Sequence, residues 1–433
     1  MNEDMMKRYC VRVLGCKVNQ YEARQIEHLL DRMGLAPASA GETAGVAILH
    51  GCAVTNMAAR KSRQALRKLR TDHPNATLIM SGCGAAINHF DAAAERCHTA
   101  PSGEYWLQNL EACVNDALGR TPSHEADGTI GLERFSGHKR AFLKIQDGCS
   151  IGCTYCIVPT LRGGSRDKPL DELLHEAEAL TVNGYTELVV TGVSVGLYGM
   201  NGGPALSNVL RGLLRIPGIQ RLRMSSLHPQ EVSDELLEVW SSTKRMMPHV
   251  HLPLQSGSTR LLAAMRRGYT AESFLETIQR FCDALDRPAF TTDVITGFPG
   301  ETKEDFEATR YIIEETGFSG LHVFPYSNRP GTPASRMKDQ VPAPLARKRA
   351  EQLQQLGKHL AGRYFESLIG TQEEVLVEQA INGRCTGHGE RYFPVAFPGP
   401  ESLLRGIVPV RLTGIQGEGM TGESIGKDRK TDS

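Results

Sequence analysis

The sequence has no surplus of either charge: 49 Lys and Arg stand against 49 Asp and Glu in 433 residues. No global basic field advertises nucleic-acid binding, so any RNA contact must use local patches. No apolar run approaches the roughly 20 residues needed to span a bilayer; the longest are strand-sized, and no membrane partner is expected. The N-terminus, MNEDMMKRYC, lacks the apolar core and cleavage site of a secretory signal, so a cytoplasmic location is expected. Eleven cysteines is an odd count in a long, unsecreted chain, which argues against a disulfide framework. Clustered cysteines then point to metal and dispersed ones to small buried hydrophobes. No oligomeric state follows from the sequence.

What is present is alternation. YCVRVLGC, GVAILHGC and ATLIMSGC are strand-length apolar runs. Each precedes a helical stretch, predicted from Tyr21 to Met33, from Met57 to Asp72 and roughly from Phe90 to Cys97. This order predicts a parallel α/β sheet. The runs end alike, in Gly15-Cys16, Gly51-Cys52 and Gly82-Cys83. The carboxyl ends of parallel strands line one edge of an open sheet, where ligands bind. Three thiols 36 and 31 residues apart would converge there.

A polar, turn-rich stretch from Arg120 to Gly137 reads as a linker. The alternation then resumes in AFLKIQDG, ELVVTG, RLRMSSL, HVHLPL, FTTDVITG and LHVFPYS, with helical stretches such as Pro169 to Asn183 and Lys303 to Thr316 between them. Six βα units predict a partial TIM-like barrel, whose active site belongs at the carboxyl ends of the strands. Thr191, Ser225, Ser226, His228, Gln255, Ser256, Asp293, Thr296 and Tyr326 gather at those ends. Beyond about Gly370, EEVLVEQ, NGRCTGHG, RYFPVAF and GIVPVRLTGI are short strands separated by Gly and Pro, which predict a small β-barrel. The units are expected over residues 8–119, 137–368 and 369–430; the last residues, GKDRKTDS, read as disordered.

The strongest motif is Cys149-Ser-Ile-Gly-Cys153-Thr-Tyr-Cys156, directly after the first barrel strand. Three thiolates on one tight loop can hold three irons of a [4Fe–4S] cluster and leave the fourth iron open. A structural zinc knuckle is the alternative, but it needs a fourth His or Cys nearby, and none follows in residues 157–169. This loop at the mouth of a βα barrel resembles the radical S-adenosylmethionine (SAM) superfamily. The resemblance implies SAM chelating the open iron, one-electron cleavage to methionine and a 5′-deoxyadenosyl radical, and Tyr155 shielding the cluster. It also implies an electron donor such as flavodoxin or ferredoxin.

LGCKVNQYEA, GCAVTNMAARKSRQ, SGCGA, VVTGVSVGLYG, RLRMSSLHP, HLPLQSGS, MRRGYT, TDVITGFPGET and HVFPYSNRPGTPA together resemble one branch, the methylthiotransferases, over about 410 residues. The last sixty or so resemble its TRAM module, an RNA-binding barrel. The resemblance implies that Cys16, Cys52 and Cys83 ligate a second [4Fe–4S] cluster, in agreement with their shared strand-end position. It implies methylthiolation of C2 of an adenosine in tRNA, with the auxiliary cluster as carrier or donor of sulfur. An unactivated aromatic C–H needs such cofactor-borne reactivity. Gly-Cys-Lys-Val-Asn-Gln-Tyr-Glu favours members acting on N6-threonylcarbamoyladenosine; the isopentenyl analogue and an aspartate of a ribosomal protein are the alternatives. The chain departs from the family at His50-Gly51 and at Ala86, which puts hydrogen bonding around the auxiliary cluster in question.

Weaker signals carry two readings each. Arg60, Lys61, Arg63, Arg67, Lys68 and Arg70 form either a phosphate-binding or a merely solvated helix face. Arg162 and Arg166 suit phosphate or SAM carboxylate, or plain surface. Asp293, in an otherwise apolar strand, needs a reason: a SAM-pocket contact or a salt bridge. Thr191, Ser225, Gln255 and Ser256 are further candidates for that pocket, and the Gly192, Gly196, Gly199 loop could pass close to SAM. His228 and His251 read as hydrogen-bonded scaffold. Cys10, Cys97, Cys113, Cys282 and Cys385 read as packing residues. Arg384, His388, Arg391 and Tyr392 share one Gly-rich turn that suits RNA or a structural cap.

Overall fold

The computed structural model describes residues 7–86, 97–121, 131–135 and 139–425. The first sheet contains β1 (Arg8–Val13), β2 (Ala36–Pro37), β3 (Val46–Gly51), β4 (Thr77–Gly82) and β5 (Cys97–Pro101), in the order β2-β1-β3-β4-β5 and all parallel. β3 is buried along its whole length, as a central parallel strand covered on both faces must be. Helix α1 (Lys17–Arg32) buries Val18, Tyr21, Ile26, Leu29 and Leu30, a spacing that puts them on one face. Helix α2 (Asn56–Asp72) starts where the Thr55 side chain accepts from the Ala58 N–H, filling one of the free donors of a helix start.

Two differences from the sequence reading occur here. Cys97 opens a strand that pairs with Leu78 instead of closing a helix; the rest of the helix expected from Phe90 lies outside the described residues. Helix α3 (Trp106–Ala117), unanticipated, covers that edge and buries Trp106, Leu110 and Val114. In both places tertiary contact decided what local pattern had left weak.

The central unit runs through β6 (Ala141–Asp147), β7 (Arg166–Asp167), β8 (Glu187–Gly192), β9 (Arg221–Met224), β10 (His249–His251), β11 (Ala289–Thr296) and β12 (Gly320–Pro325). The order is β7-β6-β8-β9, then β10-β11-β12, with parallel bridges Leu222↔Met246 and Ser226↔His251 carrying the curve across the gap. Apart from the two-residue antiparallel β7, this is the expected open barrel of six parallel strands. β11 shows which side is which: Phe290, Thr292 and Val294 are buried, while Thr291, Asp293 and Ile295 between them are only half-buried and face the lumen. Outside the strands, Trp240, Phe274, Phe281 and Phe318 pack in the main core. Leu132 and Phe135 belong to that core as well, and the Phe135 N–H donates to Tyr185 Oη at 2.8 Å. The end of the expected linker is therefore packed structure.

A helix over Ala343–Glu366 leads to β13 (Gln372–Ile381), β14 (Arg384–His388), β15 (Pro394–Pro398), β16 (Ile407–Gln416) and β17 (Gly419–Ser424), a closed barrel in the order β13-β14-β15-β17-β16. The fifth strand, rich in Gly and Ser, closes the expected barrel. GKDRKTDS lies outside the described residues. No helix of the described residues is long and apolar enough to cross a membrane.

Candidate metal centres

Cys149, Cys153 and Cys156 leave the carboxyl end of β6 on one loop, pinned by backbone bonds. The Cys149 N–H donates to Gly163 O at 3.1 Å, Thr154 N–H to Met265 O at 3.0 Å, and Cys156 N–H to Cys153 O at 3.0 Å. Burial raises the Cys149 thiol above its ordinary pKa and pushes Cys156 up to about 12, so bare thiolates are disfavoured until positive charge arrives. One cation is already in place. Arg267 is buried, and its guanidinium reaches Cys153 Sγ at 3.2 Å, Tyr155 Oη at 3.3 Å and Tyr269 Oη at 3.1 Å. A guanidinium here suits an anionic cluster, where zinc would want another ligand. MRRGYT marked this segment in the sequence, but nothing singled out Arg267; a cation becomes informative only once it is seen buried beside a thiol.

Near this loop or at the strand ends, several buried polar atoms have no hydrogen-bond partner among the described residues: Ser225 Oγ, His228 Nδ1, Arg267 Nη2 and Tyr326 Oη. Burial, with Arg267 beside it, holds His228 down to about 3, so the ring is neutral. Buried groups left unpaired ask for a polar ligand, and this lining fits a zwitterionic cofactor such as SAM. Thr191 is buried on β8, in register with Lys144. Gln255 is buried with a left-handed φ of 62°; its N–H donates to Asp293 O at 2.8 Å. A non-glycine residue held there is strained and is fixed by the strand it bridges.

Asp293 itself faces the lumen, with His251 Nε2 at 3.4 Å from its Oδ2 and His322 opposite on β12. One ligand atom from each of the three lies within 4.8 Å of the others. His251 also bonds Thr291 Oγ1 at 2.9 Å, the scaffold role expected of it, whereas the ring Nδ1 of His228 is among the orphans above.

Cys16, Cys52 and Cys83 follow β1, β3 and β4, and their ends come together closely enough to forbid side chains. A Cβ on Gly15, at φ +123°, would stand 2.9 Å from Cys52 Cβ; one on Gly82, at φ +78°, would stand 2.8 Å from Gly51 O. Burial pushes the Cys83 thiol up to about 11, with Arg162 opposing and both other cysteines near enough to add to the rise. Cys83 packs with Ile157 and Leu161, which follow Cys156 directly. The two cysteine sets thus share a wall.

Arg162 is the centre of that wall, and the structure corrects both readings of it. It is 2% exposed, and every donor is taken within the protein. Nε meets Cys83 Sγ at 3.1 Å; Nη1 meets Glu22 Oε1 at 2.8 Å and Asp147 Oδ1 at 2.9 Å; Nη2 meets Asn19 Oδ1 at 2.9 Å and Glu22 Oε2 at 2.8 Å. No donor remains for phosphate or SAM. Lys144 Nζ completes the set at 2.6 Å from Glu22 and 2.8 Å from Asp147. Burial opposes ionisation of Glu22, yet Arg162 and Lys144, with bonds from Arg162 and His50, hold its carboxyl well below the usual range. His50, the departure from the family pattern, is fully buried with Nε2 at 2.9 Å from Glu22 and Nδ1 at 3.3 Å from Ser81 Oγ. The unusual residue therefore supports the network instead of weakening it.

Other expectations shift similarly. Arg166 donates through Nη1 to the carbonyls of Arg162 and Gly164, while its Nη2, 3.7 Å from Asp147, makes no hydrogen bond among the described residues. A Cβ on Gly196 would fall 2.0 Å from Glu231 Oε2, so that glycine makes room for protein. Thr302 caps the helix over Lys303–Thr316, accepting from the Asp305 N–H at 3.2 Å. On α2, Arg60, Lys61, Arg67 and Lys68 are exposed, while Arg63 is half-buried and Arg70 donates to Ala76 O. Of the five packing cysteines only Cys385 is buried, and Cys282 is exposed. In the C-terminal turn, His388 pairs with Glu378 at 2.6 Å, and Arg391 binds Glu373 and the carbonyls of Asp286 and Arg287. Tyr392 lies under Arg223 and Arg140, at 4.7 and 5.1 Å from its ring centre. Arg391 and Tyr392 dock the barrel onto the central unit, whereas the His388–Glu378 pair lies within the barrel; Arg384 alone of the four is exposed.

An open six-stranded barrel with a three-cysteine loop at its mouth defines a radical SAM enzyme, and residues 143–310 match the Radical SAM superfamily. Residues 8–100 match Uncharacterized protein family UPF0004. Over nearly the whole length, 35% of 418 residues are identical to the threonylcarbamoyladenosine tRNA methylthiotransferase MtaB of Chlamydia pneumoniae, covering 95% of this chain and 97% of that one. The MtaB of Bacillus subtilis is 34% identical, with 92% of each chain covered. The tRNA-2-methylthio-N(6)-dimethylallyladenosine synthase of Carboxydothermus hydrogenoformans is 31% identical, covering 94% of this chain and 97% of that one. The chain belongs to the radical SAM methylthiotransferase family. In fold it also resembles the radical SAM methyltransferase TsrM of Kitasatospora setae, at a TM-score of 0.58 and 13% identity, covering 88% of this chain and 81% of that one.

Proposed function

We propose that the protein transfers a methylthio group to C2 of N6-threonylcarbamoyladenosine at position 37 of tRNA. The observation that carries this reading is the shared wall: Arg162, six residues after Cys156, bonds Cys83, so a radical site and a sulfur site open on one seam. Cys149, Cys153 and Cys156 would hold one [4Fe–4S] cluster, and Cys16, Cys52 and Cys83 the other. Loaded with SAM, these sites would supply the one-electron chemistry needed at an unactivated C–H and the methylthio unit.

The chain's own residues do the rest. Tyr155 and Arg267 cover the Cys153 side of the loop. Thr191, Ser225, Gln255 and Asp293 line the approach from the strand ends, where SAM and the base meet. Arg162 places a fixed positive charge beside Cys83. Residues 8–119, 137–368 and 369–430 divide the work into sulfur supply, radical generation and tRNA grip. The reaction runs in the cytoplasm and draws its electron from a flavodoxin or ferredoxin. Nucleoside mass spectrometry of tRNA from a deletion strain tests the reading: the 2-methylthio derivative should vanish while N6-threonylcarbamoyladenosine accumulates. An unchanged 2-methylthio pool, or loss of only the isopentenyl derivative, would overturn it.

A further inference from the structure

Lys17, directly after Cys16, starts α1 and points its side chain across the seam into the barrel. Its Nζ stands 5.4 Å over the Tyr392 ring. Arg223 and Arg140 lie nearby and oppose its charge, while the Tyr392 hydroxyl and the Cys16 thiol favour it. Those two arginines have their own anions, since Arg223 meets Glu187 at 3.1 Å and Arg140 meets Glu378 at 2.8 Å. No carboxylate of the described residues pairs with Lys17. The Tyr392 ring lies 4.8 Å from the His249 ring, and His249 and His251 share Thr291 Oγ1 at 3.0 and 2.9 Å, which places the Lys17 ammonium beside the lumen side of β10 and β11. A half-buried ammonium among arginines, with no carboxylate of the described residues beside it, is costly to hold on protein groups alone and favours an anionic ligand.

The lumen offers a second polar group beside it. Asp293 and His251 face the open interior, with exposed His322 alongside. The threonylcarbamoyl group on N6 of the adenine ends in a carboxylate next to a hydroxyl. C6, which bears that group, and C2, which receives sulfur, flank the same ring nitrogen. A base held with C2 toward the Cys16 cluster therefore carries its threonyl end past the residue that follows Cys16.

We propose that Lys17, with the His251–Asp293–His322 group, forms the subsite for the threonyl end of the substrate: Lys17 takes the carboxylate and Asp293 accepts from the hydroxyl. This rests on the function proposed above. It assigns substrate choice to the lumen and leaves the chemistry to the clusters. Lys17 acts as a specificity residue.

The test uses the full chain with both clusters loaded and three anticodon stem-loop RNAs, bearing at position 37 adenosine, N6-threonylcarbamoyladenosine, or the methyl ester of the latter. Dissociation constants are read by fluorescence anisotropy. Wild type should bind the acid roughly tenfold to hundredfold more tightly than the ester, the worth of one charged hydrogen bond. Lys17→Gln should bring that ratio to about one without changing affinity for the adenosine RNA, and Lys17→Arg should keep most of it. Should Lys17→Gln fail to load iron, the acid-to-ester ratio on wild type decides alone. A ratio near one on wild type, or a full ratio retained in Lys17→Gln, overturns the subsite. If methylthiolation of the acid RNA continues in either case, the function stands without it; if only an isopentenyladenosine RNA is methylthiolated, both fall.

Discussion

The two cysteine sets are built in opposite ways. Cys149, Cys153 and Cys156 lie on eight consecutive residues, held mainly by backbone bonds of their own loop and the next helix, with one distant tie from Thr154 to Met265. Cys16 and Cys83 are 67 residues apart (83 − 16), and their set exists only when three strand ends meet. The first site costs little chain entropy beyond its loop, whereas the second depends on a folded sheet and on a buried charge network reaching in from the barrel. A local ligand set tolerates damage elsewhere; a distributed one reports it.

The sharpest break of that comparison removes one set at a time. Replacing Cys149, Cys153 and Cys156 by Ala should lower iron from about eight to about four per chain and abolish SAM cleavage. Replacing Cys16, Cys52 and Cys83 by Ala should cost the same iron, leave SAM cleavage measurable and abolish the methylthio product. Equal loss of SAM cleavage in both would show that the sets are not separable.

Next in size is Glu22→Gln, which leaves Arg162 and Lys144 short of a buried anion. A cost of about 3–5 kcal/mol is expected, seen as a lower urea midpoint, with auxiliary iron lost ahead of radical-site iron. Glu22 is held well below its ordinary pKa. Its stabilisation is therefore full above an unfolded value of about 4.3 and fades as pH falls through the folded value. The gap between wild type and Glu22→Gln, followed by circular dichroism on apoprotein, should be constant at neutral pH and close in acid. A gap that widens on acidification would place the network's charge elsewhere.

The smallest effect is expected for Cys282→Ser. The thiol is exposed and belongs to neither set, so stability should stay within about 0.5 kcal/mol and iron content should not move. Iron loss in this variant would add a ligand that the comparison has no place for.

Sequence legibility follows the same division. The radical loop was readable because its spacing is local, and the strand-end cysteines because three similar runs end in Gly-Cys. The network around Arg162 was not, since Glu22 stands 140 residues from its partner and neither looks unusual in isolation. Arg391 and Tyr392 stayed ambiguous for the reverse reason: a basic, aromatic turn has the same letters whether it faces RNA or, as here, a neighbouring unit. The strand at Cys97–Pro101 was hidden by its short length and mixed polarity, and only pairing with β4 defines it.

The Arg162 network also carries an implication for ionic strength. It sets two cations, Arg162 and Lys144, against two anions, Glu22 and Asp147, so these four charges balance, and Arg162 and Glu22 at their centre are almost wholly buried. Dissolved salt reaches exposed pairs and phosphate contacts, while buried ones are screened far less. Raising salt should therefore peel RNA from the outer surface long before it parts the sheet from the barrel, a route to stripping bound nucleic acid while the iron sites stay assembled.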